Sequence, residues 1–497
     1  MRPEGADFPF DTVLVANRGE IAARVLRTVR ALGLRSLVVH HAADAGSPAV
    51  RMADGLVEIT GSTPTAAYLD AGQIIAKALD AGAQAIHPGY GFLSENADFA
   101  RKIEAAGMVF VGPAPETIEL LGDKVSARDF AAGHGFPIAP SAVEAHDPAS
   151  FADRIRAIGG PMLIKPAGGG GGKGMRIVRD LARLDEELER ARSEAGRYFG
   201  DPRLYAERYV ERPRHIEVQV LGDAYGEVVH LFERECSLQR RFQKVVEEAP
   251  SSTLSDAERE RICDAAAGIA RAARYRNAGT VEFIHGGDAF YFLEMNTRLQ
   301  VEHPVTEAIT GLDLVAEQLK IAAGRPLGFT QSEITRTGHA VEARIYAEDP
   351  ARGFTPATGR LLAYSPPAGD GVRVDSGVSE GQDITAAFDP LLAKLVVHGA
   401  DRREALERAA RALSDFVVLG CRTNIGFLKR LLRDPDVLAG ALHTDLIAEK
   451  PALAADPALS PETLTAVLGA AALSIRTVRD AALAVPPLHA ALGDWRN

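Results

Sequence analysis

Apolar runs and helical patterns alternate along the first quarter of the chain. The run "TVLVAN" (12–17) predicts a buried strand, and residues 19–33 repeat apolar positions at helical spacing up to Gly33, which suits a helix end. The next apolar run, "RSLVVHH" (35–41), predicts a second strand, and the alternation continues to about residue 118. Strands that alternate with helices favour a parallel sheet covered by helices. We therefore predict an N-terminal parallel α/β domain over residues 1–118.

Paired apolar segments replace this alternation in the middle of the chain. Two strands flank a glycine run in residues 161–178, and two antiparallel hairpins are predicted at 216–237 and 279–296, with turns near Asp223–Gly226 and Gly286–Gly287. The predicted divisions are a central domain at 119–334, a C-terminal α+β domain at 335–447 and an Ala-rich tail, or the start of a following segment, at 448–497.

The composition is that of an ordinary globular protein, since 46% of the 497 residues are hydrophobic and 25% are charged. A net charge of −11 argues against a general nucleic-acid-binding protein, which needs a basic face. No apolar run approaches the roughly 18 residues of a membrane span, and the N-terminus lacks the apolar core of a signal peptide. Cys236, Cys263 and Cys421 are too far apart for a metal motif. We therefore expect a cytoplasmic protein without nucleic-acid or membrane partners.

Lysine is scarce, since only 10 of the 56 basic residues are Lys. A Lys within a candidate site is therefore informative, because its compact charge differs from the planar fork of Arg. Lys124, Lys165, Lys173 and Lys244 lie in the motifs described below, and Lys394 lies in a predicted strand.

A run of five glycines follows the strand that contains Lys165. Its members, Gly168, Gly169, Gly170, Gly171 and Gly172, leave every backbone N–H accessible. Such a loop can surround an oxyanion, with Lys165 and Lys173 as counter-charges. It is not a Walker A motif, because no Ser or Thr follows the Lys. A flexible linker is the alternative, which the flanking apolar strands and the two scarce lysines make less favoured.

The hairpin at 279–296 carries an acid in each strand, Glu282 and Glu294. A carboxylate in so apolar a strand is unfavourable unless it is paired or bound to a metal. Two carboxylates and the amide of Asn296 are hard oxygen ligands that suit Mg²⁺. A two-residue turn places the two acids on opposite faces of the hairpin, whereas a three-residue loop or a bulge places them on one face. A structural salt-bridge pair is the alternative interpretation.

Polar residues occupy the even positions from 294 to 302 in "EMNTRLQVE". An extended strand that ends before Pro304 would present them to one side. Arg298 offers a fork for a planar anion, Gln300 and the backbone add donors, and Glu302 is a candidate general base. A strand with a polar solvent face predicts the same pattern, and the neighbouring glycine run and Glu282 are what favour a site.

Basic residues are concentrated at 234–250. Arg234, Arg240, Arg241 and Lys244 lie near Gln239 and Gln243, which predicts either a solvated basic face or a lining for phosphate and a small anion. The segment "HPGYGFLSEN" (87–96) is interpreted as a structural turn, because it lacks the glycines of a nucleotide loop. "VANRGEIAARV" (15–25) lacks the dinucleotide-binding glycines, which counts against a nicotinamide-dependent dehydrogenase.

In order along the chain, these segments resemble the biotin carboxylase domain of biotin-dependent carboxylases, which are ATP-grasp ligases. The resemblance covers about residues 10–447 and includes "ANRGEIAARV", "KPAGGGGGKGM", "QKVVEEAP", "EMNTRLQVEHPVTE" and "GHAVEARIYAEDP". It implies a central ATP-grasp domain with a mobile lid at about 140–206. It also implies ATP- and bicarbonate-dependent carboxylation of biotin on a carrier protein, through carboxyphosphate, with Mg²⁺ or Mn²⁺ as the metal.

The resemblance also implies roles for individual residues. ATP would be held by Lys124, Lys165, the glycines at 168–172, Glu207, Val210, His215 and Gln239, together with Glu282 and Glu294. The metal would be held by Glu282, Glu294 and Asn296. Bicarbonate would be held by Lys244, Arg298, Gln300 and Val301. Glu302 would be the general base, Arg344 would stabilise the biotin enolate, and Lys244 and Arg298 would act with them as the catalytic residues.

Two features depart from the family pattern. Phe242 stands where many members have His or Asn, so packing replaces a polar contact near the nucleotide. The sequence contains no Met-Lys-Met biotin-attachment motif and no carboxyltransferase domain. We therefore expect a fragment of a longer subunit, or a subunit served by a separate biotin carboxyl carrier protein or domain. A carboxyltransferase subunit and a homodimer or larger complex are expected as well.

Two other functions stay open on the sequence alone. Another ATP-grasp ligase, which joins a carboxylate to an amine or forms carbamoyl phosphate, would share the glycine loop and the metal acids without needing Arg344. A non-catalytic nucleotide-binding module that regulates a partner would have no need for a base such as Glu302.

Overall fold

A computed structural model describes residues 8–167, 174–287, 289–456 and 460–475. The predicted glycine run at 168–172, together with Lys173, and the end of the predicted tail lie outside the described residues. Residues 1–454 form one compact unit and residues 455–497 a second. No helix in the described ranges is long and apolar enough to cross a lipid bilayer.

The N-terminal part of the chain alternates strands and helices, as its apolar pattern predicts. Its elements are β1 (Thr12–Val15), α1 (Gly19–Ala31), β2 (Arg35–His40), α2 (Pro48–Met52), β3 (Gly55–Glu58), α3 (Pro64–Tyr68), α4 (Ala71–Asp80), β4 (Ala85–His87), α5 (Ala97–Ala105), β5 (Val109–Phe110) and α6 (Pro115–Gly122). The strands form a parallel sheet in the order β3–β2–β1–β4–β5. Gly33 follows α1 with a φ of +72°, a left-handed conformation that suits glycine after a helix end.

A small antiparallel sheet with two helices comes next. The elements in this part are α7 (Lys124–Gly133), β6 (Ser141–Val143), α8 (Phe151–Ile158), β7 (Met162–Pro166), β8 (Arg176–Val178), α9 (Leu184–Phe199) and β9 (Leu204–Arg208). The strand order is β6–β9–β7–β8, and α8 and α9 pack on it through Phe151, Ile155, Leu184 and Leu188. This sheet occupies the range of the predicted lid, and β7 and β8 are the two strands predicted on either side of the glycine run.

The largest sheet is antiparallel and spans the central and C-terminal parts of the chain. Its central elements are β10 (Arg214–Gly222), β11 (Val228–Arg240), β12 (Gln243–Ala249), α10 (Asp256–Ala272), β13 (Asn277–Gly286), β14 (Ala289–Asn296), α11 (His303–Thr310) and α12 (Leu314–Ala322). The hairpin β10–β11 turns at residues 223–227, where the sequence predicts it.

The C-terminal part adds three strands to that sheet. Its elements are β15 (His339–Tyr346), β16 (Glu348–Asp349), β17 (Thr355–Pro356), β18 (Gly359–Arg360), β19 (Ala363–Ser365), β20 (Val372–Ser376), β21 (Asp383–Ile384), β22 (Leu391–Gly399), α13 (Arg402–Asp415), β23 (Val417–Leu419), α14 (Ile425–Leu431), α15 (Pro435–Leu438) and α16 (Leu446–Glu449). The order of the eight strands is β14–β13–β10–β11–β12–β15–β22–β20. The central and C-terminal parts therefore share one continuous sheet.

The two faces of this sheet differ in polarity. On β10, Ile216 and Val218 belong to an apolar core that includes Ile262 of α10. The residues between and beside them, Glu217 and Gln219, point the other way and are buried polar side chains. The alternation along β10 thus separates an apolar face from a buried polar face.

Charged residues lie opposite one another on the polar face. Glu294 of β14 is paired with Glu282 of β13, Glu282 with Glu217 of β10, and Glu217 with Arg234 of β11. Directly opposed residues share a face, and their Cβ atoms are roughly 5 Å apart. The pairing of these four strands therefore places a row of charged side chains on one face of the sheet, without any contribution from the loops.

The described part of the second unit is dominated by α17 (Pro461–Ser474). The side chain of Ser460 accepts a hydrogen bond of 3.2 Å from the Thr463 N–H, which caps the start of the helix. Every residue of α17 is exposed.

Candidate active site

One cavity of about 410 Å³ brings the predicted site residues together. Its walls come from the small sheet, from the polar face of the large sheet and from the segment after β14. Every predicted site residue outside the glycine run lines it, from Lys124 to Arg344. The five glycines at 168–172 lie outside the described residues, so the prediction for them stays untested.

The register of the β13–β14 hairpin places both acids on the same face. Gly286 is paired with Ala289, so the turn lies one residue later than the predicted Gly286–Gly287. Phe283 is paired with Phe292, yet Glu282 is paired with Glu294, which leaves Leu293 as an extra residue. A bulge of this kind reverses the facing of every later residue in the strand. The metal hypothesis requires Glu282 and Glu294 on one face of the hairpin, and the bulge, not a three-residue loop, places them there.

The prediction of an extended strand from 294 to 302 is wrong beyond Asn296. β14 ends at Asn296, Glu302 is the residue before α11, and Pro304 lies in the first turn of that helix. Pro is favoured there because its missing N–H would have no helical partner. The ring nitrogen Nδ1 of His303 lies 2.7 Å from the Gln300 carbonyl and helps to shape the turn. The polar side chains converge through this turn rather than through strand alternation.

The candidate metal ligands fit a hard divalent cation. Glu282 and Glu294 are opposite each other, and the Asn296 amide lies 2.9 Å from a Glu282 oxygen. Burial raises the pKa of Glu282, but the neighbouring Lys244 and His215 outweigh this and hold it well below its usual range. Two opposed carboxylates beside a side-chain amide offer the hard oxygen donors that suit Mg²⁺.

Lys244 is the central cation of the cavity. Its ammonium donates hydrogen bonds of 2.5 Å to Glu217, 2.9 Å to Glu282 and 2.6 Å to Glu302. Burial lowers the pKa of Lys244, but the three carboxylates raise it well above its ordinary value. Lys244 is therefore charged, and it links the candidate metal ligand Glu282 to the candidate base Glu302.

Glu302 is held between two cations. One carboxylate oxygen accepts from Lys244, and the other accepts a hydrogen bond of 2.9 Å from the Arg344 guanidinium. Burial raises the pKa of Glu302, but Lys244 and Arg344 outweigh it and hold the pKa well below its usual range. A carboxylate paired so strongly accepts a proton only after those cations turn towards another anion.

Arg344 has a second carboxylate partner that the sequence prediction missed. Its Nε donates a hydrogen bond of 2.5 Å to Glu247 of β12. Burial raises the pKa of Glu247 to about 7, although Arg344 opposes the shift. Glu247 and Glu302 therefore hold the guanidinium from two sides.

The basic cluster at 234–250 divides between two roles. Gln239, Phe242, Gln243 and Lys244 line the cavity, whereas Arg240 pairs with Glu348 at 3.0 Å. Arg234 is fully buried and donates to Glu217, Gln219, Thr280, Gln300 and Thr306. The prediction of a solvated basic face is therefore wrong for Arg234, which is buried behind the cavity wall and holds the side chains of that wall in place.

The segment 87–96, interpreted as a structural turn, also contributes to the site. Glu95 accepts a hydrogen bond of 2.8 Å from Arg298 and one of 3.3 Å from the Thr297 N–H. Asn17 donates to the carbonyls of Pro88 and Tyr90 and so holds the turn against β1. Glu95, like Glu217 and Glu247, was not predicted. Only Glu217 carried a signal, because it is a polar residue in the period-two pattern of an otherwise apolar strand.

The nucleotide side of the cavity is bounded by the small sheet. Lys165 of β7 forms an ion pair with Glu207 of β9, and His215 Nδ1 lies 2.7 Å from the Gln239 amide. Lys124 pairs with Glu294 at 3.0 Å and so joins α7 to the candidate metal ligands. Phe242 lies in the β11–β12 turn with a φ of +66° and is 57% exposed at the cavity rim. An aromatic side chain there offers packing surface and no hydrogen bond.

Three family models match successive parts of the chain. "Biotin carboxylase, N-terminal domain" matches residues 9–118, "Carbamoyl-phosphate synthase L chain, ATP binding domain" matches 123–330, and "Biotin carboxylase C-terminal domain" matches 342–449. The flanking models exclude the carbamoyl-phosphate alternative that the middle one alone would leave open.

Full-length relatives and a solved structure agree with these matches. The chain is 46% identical to the biotin carboxylase of a Nostoc species, over 88% of this chain and 99% of that protein. It is 49% identical to the biotin-dependent acyl-coenzyme A carboxylase alpha3 subunit of Mycobacterium leprae, over 86% of this chain and 71% of that protein.

The solved structure is the biotin carboxylase domain dimer of the Hydrogenobacter thermophilus 2-oxoglutarate carboxylase, in complex with MgADP, ADP and bicarbonate. It superposes with a TM-score of 0.87 at 42% identity and covers 91% of this chain and all of that one. The chain therefore belongs to the biotin carboxylase family of ATP-grasp ligases, and its activity is the ATP- and bicarbonate-dependent carboxylation of biotin.

Proposed function

We propose that this chain transfers a carboxyl group to biotin on a carrier protein or domain, through carboxyphosphate, within the 410 Å³ cavity. The observation that carries the proposal is the linked set Lys244, Glu302 and Arg344, which joins the metal ligands to the candidate base and to a further cation. A nucleotide-binding module would need the metal ligands but no buried carboxylate between two cations.

ATP would lie on the side of the cavity bounded by the small sheet. Lys124, Lys165, His215 and Gln239 supply charge and hydrogen-bonding groups there, and Glu207 and Val210 lie on the same wall. The glycines at 168–172 connect the two strands of this wall and would supply backbone N–H groups to the phosphates. Closure of the lid at about 140–206 would exclude water, which matters because carboxyphosphate hydrolyses readily.

Glu282, Glu294 and Asn296 would hold Mg²⁺ or Mn²⁺ against the nucleotide. The ion neutralises phosphate charge when it is bound. Lys124 and Lys244 already pair with the two carboxylates, so they are placed to pass to phosphate oxygens once the carboxylates bind an ion.

Bicarbonate would lie between Lys244, Arg298, Gln300 and the Val301 backbone. A bicarbonate oxygen attacks the γ-phosphorus, the bond to ADP breaks with its electron pair on ADP, and the bicarbonate proton passes to Glu302. The anion attracts Lys244 and so weakens one of the ion pairs that depress the pKa of Glu302. Carboxyphosphate would then break the bond between its carboxyl carbon and the phosphate oxygen to give CO₂ and phosphate. The phosphate would take the proton of the biotin ureido N–H, and the resulting enolate, stabilised by Arg344, would form the N–C bond to CO₂.

The wider assembly follows from the same proposal. The sequence contains no Met-Lys-Met motif, so a biotin carboxyl carrier protein or domain would deliver biotin, and a carboxyltransferase subunit would use the product. A homodimer is supported by the dimer of the related 2-oxoglutarate carboxylase domain. The buried free thiols of Cys236 and Cys263 support a reducing, cytoplasmic location.

Domain limits at 1–118, 119–334 and 335–447, with a tail at 448–497, belong to the proposal as well. The family matches at 9–118 and 123–330 lie inside the first two of these ranges, and the match at 342–449 passes the third by two residues. The second and third ranges both contribute strands to one continuous sheet.

One assay tests the proposal. ATP hydrolysis with Mg²⁺ is measured with and without bicarbonate, and with and without free biotin. Turnover is expected to require bicarbonate and to rise with biotin. Hydrolysis that ignores bicarbonate, or that biotin does not stimulate at any concentration, would count against this chemistry and favour another ATP-grasp ligase.

A further inference from the structure

Lys394 is a buried lysine that the mechanism above does not use. It lies in the middle of β22, and its side chain is fully buried. Its Nζ donates a hydrogen bond of 2.8 Å to the Val301 carbonyl and lies 3.1 Å from a carboxylate oxygen of Glu20. Glu20 lies in the first turn of α1, and its other oxygen accepts from the Tyr90 hydroxyl. One ammonium therefore joins the N-terminal part, the large sheet and the segment that precedes Glu302.

The position of Lys394 in the sheet makes it a rigid support. Lys394 lies directly opposite Arg344 of β15 on one side and Asp375 of β20 on the other. Its backbone is thus fixed by strands on both sides, unlike the turn at 297–302 that it contacts. A hydrogen bond from a buried ammonium is stronger than one from a neutral donor, so it restrains the peptide that accepts it.

We propose that Lys394 is a positioning residue for the bicarbonate site, because it holds the Val301 carbonyl and thereby orients the Gln300–Glu302 turn. The inference rests on the proposed function, which places bicarbonate against Gln300 and the Val301 backbone. The Val301–Glu302 peptide leads directly into the candidate base. A shift of this peptide would move the donors for bicarbonate and the base together.

A simpler role for Lys394 would be to neutralise Glu20. Glu20 is buried, and burial raises its pKa to about 7 although Lys394 opposes the shift. Removal of Lys394 alone would leave this carboxyl without its cation and reduce stability. The two roles are separable, because Glu20 does not line the cavity while Val301 does.

A double-mutant comparison separates them. Lys394→Met, Glu20→Gln and the double variant are purified as full-length chains. Thermal unfolding, the KM for bicarbonate and the KM for MgATP are measured for each, with saturating free biotin. Lys394→Met is expected to unfold at a lower temperature and to raise the bicarbonate KM about tenfold or more, with the MgATP KM within about twofold of the parent. Glu20→Gln is expected to keep the parental bicarbonate KM.

The double variant decides the question. If the double variant is more thermally stable than Lys394→Met but its bicarbonate KM stays about tenfold above that of the parent, the result supports positioning of Val301 by Lys394. Recovery of both the stability and the bicarbonate KM would overturn the inference, since Lys394 would then serve only Glu20. If Lys394→Met does not fold, the double variant, which contains no unpaired Glu20 carboxylate, still supplies the deciding KM.

Arg298→Ala, measured in parallel, distinguishes failure of this inference from failure of the proposed bicarbonate site. A raised bicarbonate KM for Arg298→Ala with an unchanged KM for the double variant rejects only the role of Lys394. An unchanged KM for Arg298→Ala rejects the location of bicarbonate itself, and with it the inference.

Discussion

The ammonium of Lys244 lies 2.6 Å from a carboxylate oxygen of Glu302 and holds Glu282 at 2.9 Å at the same time. A single cation therefore neutralises both the candidate base and a candidate metal ligand. In the proposed mechanism, a metal ion at Glu282 would compete with Lys244 for that carboxylate and would free the ammonium for an incoming anion. The pair would thus couple occupation of the proposed metal site to activation of the proposed base.

Glu302→Gln is expected to reduce bicarbonate-dependent turnover by roughly 10² to 10⁴, the usual contribution of a general base. The amide oxygen can still accept a hydrogen bond from one of the two cations, Lys244 or Arg344, but the amide cannot take a proton. ATP affinity, measured by equilibrium titration with MgATP, is expected to stay near the parental value, because the proposed role of Glu302 is that of a base and not of a nucleotide contact.

Glu116→Gln is the matched control, since Glu116 is exposed in the first turn of α6. It is expected to keep parental turnover. Near-parental turnover of Glu302→Gln would refute the assignment of the base, and a lost affinity for MgATP would show that the residue acts on the nucleotide.

Arg344→Ala is expected to lower biotin carboxylation by roughly 10² or more, as the loss of a donor to a developing oxyanion does. Some bicarbonate-dependent ATP hydrolysis is expected to persist, because phosphorylation of bicarbonate does not involve the enolate. The measurement is the ratio of carboxybiotin formed to ADP released. Arg403→Ala is the control, since the Arg403 side chain is 77% exposed. If Arg344→Ala lowered carboxybiotin formation and ADP release by the same factor, the proposed location of Arg344 at biotin would be contradicted.

The sequence predicted the members of the site better than the backbone that presents them. Glu282 and Glu294 were identified as a pair, but the bulge at Leu293 that aligns them has no residue signature of its own. The even spacing of 294 to 302 suggested a strand, although Glu302 precedes a helix. Period-two reasoning fails there because contacts from distant elements, such as Glu95 to Arg298, determine the turn.

The buried residues that pack behind the cavity wall were the least predictable part of the site. Arg234 was grouped with the other basic residues of 234–250, for which a solvated face and an anion-binding lining were both open. Nothing within that segment shows that β10, β13 and α11 enclose Arg234. The parallel N-terminal sheet was predictable because its alternating strands and helices follow one another directly along the chain. The single sheet formed within residues 214 to 399 was not, because it depends on pairing between segments that are distant in sequence.

Arg234→Met is expected to lower the free energy of unfolding by roughly 3 to 5 kcal/mol, because it breaks a buried ion pair and leaves Glu217 with Lys244 as its remaining cation. Gln300 also loses a hydrogen bond of 2.8 Å from the guanidinium. Urea unfolding measures the change. Arg261→Met on the exposed side of α10 is the control and is expected to stay within about 0.5 kcal/mol of the parent. A small loss for Arg234→Met would mean that the polar face repacks without it.

His87, at the end of β4, is expected to make the protein less stable in acid. It is fully buried, its Nδ1 accepts a hydrogen bond of 3.0 Å from the Gly89 N–H, and its Nε2 lies 3.2 Å from the Gln318 side-chain oxygen. Burial lowers the pKa of His87 to about 4, and the contact with Gln318 offsets only part of the shift. The folded protein therefore holds this ring neutral at a pH where an unfolded chain protonates it.

The sign of the effect follows from proton binding in the two states. Between pH 6.5 and pH 4 the unfolded chain binds more protons at this position than the folded protein, so the free energy of unfolding falls as the pH falls. The full contribution is present above about pH 6.5, and the loss by pH 4 amounts to roughly 3 kcal/mol. Urea unfolding of the parent and of His87→Gln from pH 8 to pH 4 isolates it, because other titrating groups cancel in the difference. The variant is expected to lose less stability over this range, whereas His146→Gln, which removes a half-exposed histidine, is expected to follow the parent. Parallel curves for the parent and His87→Gln would mean that another group causes the acid sensitivity.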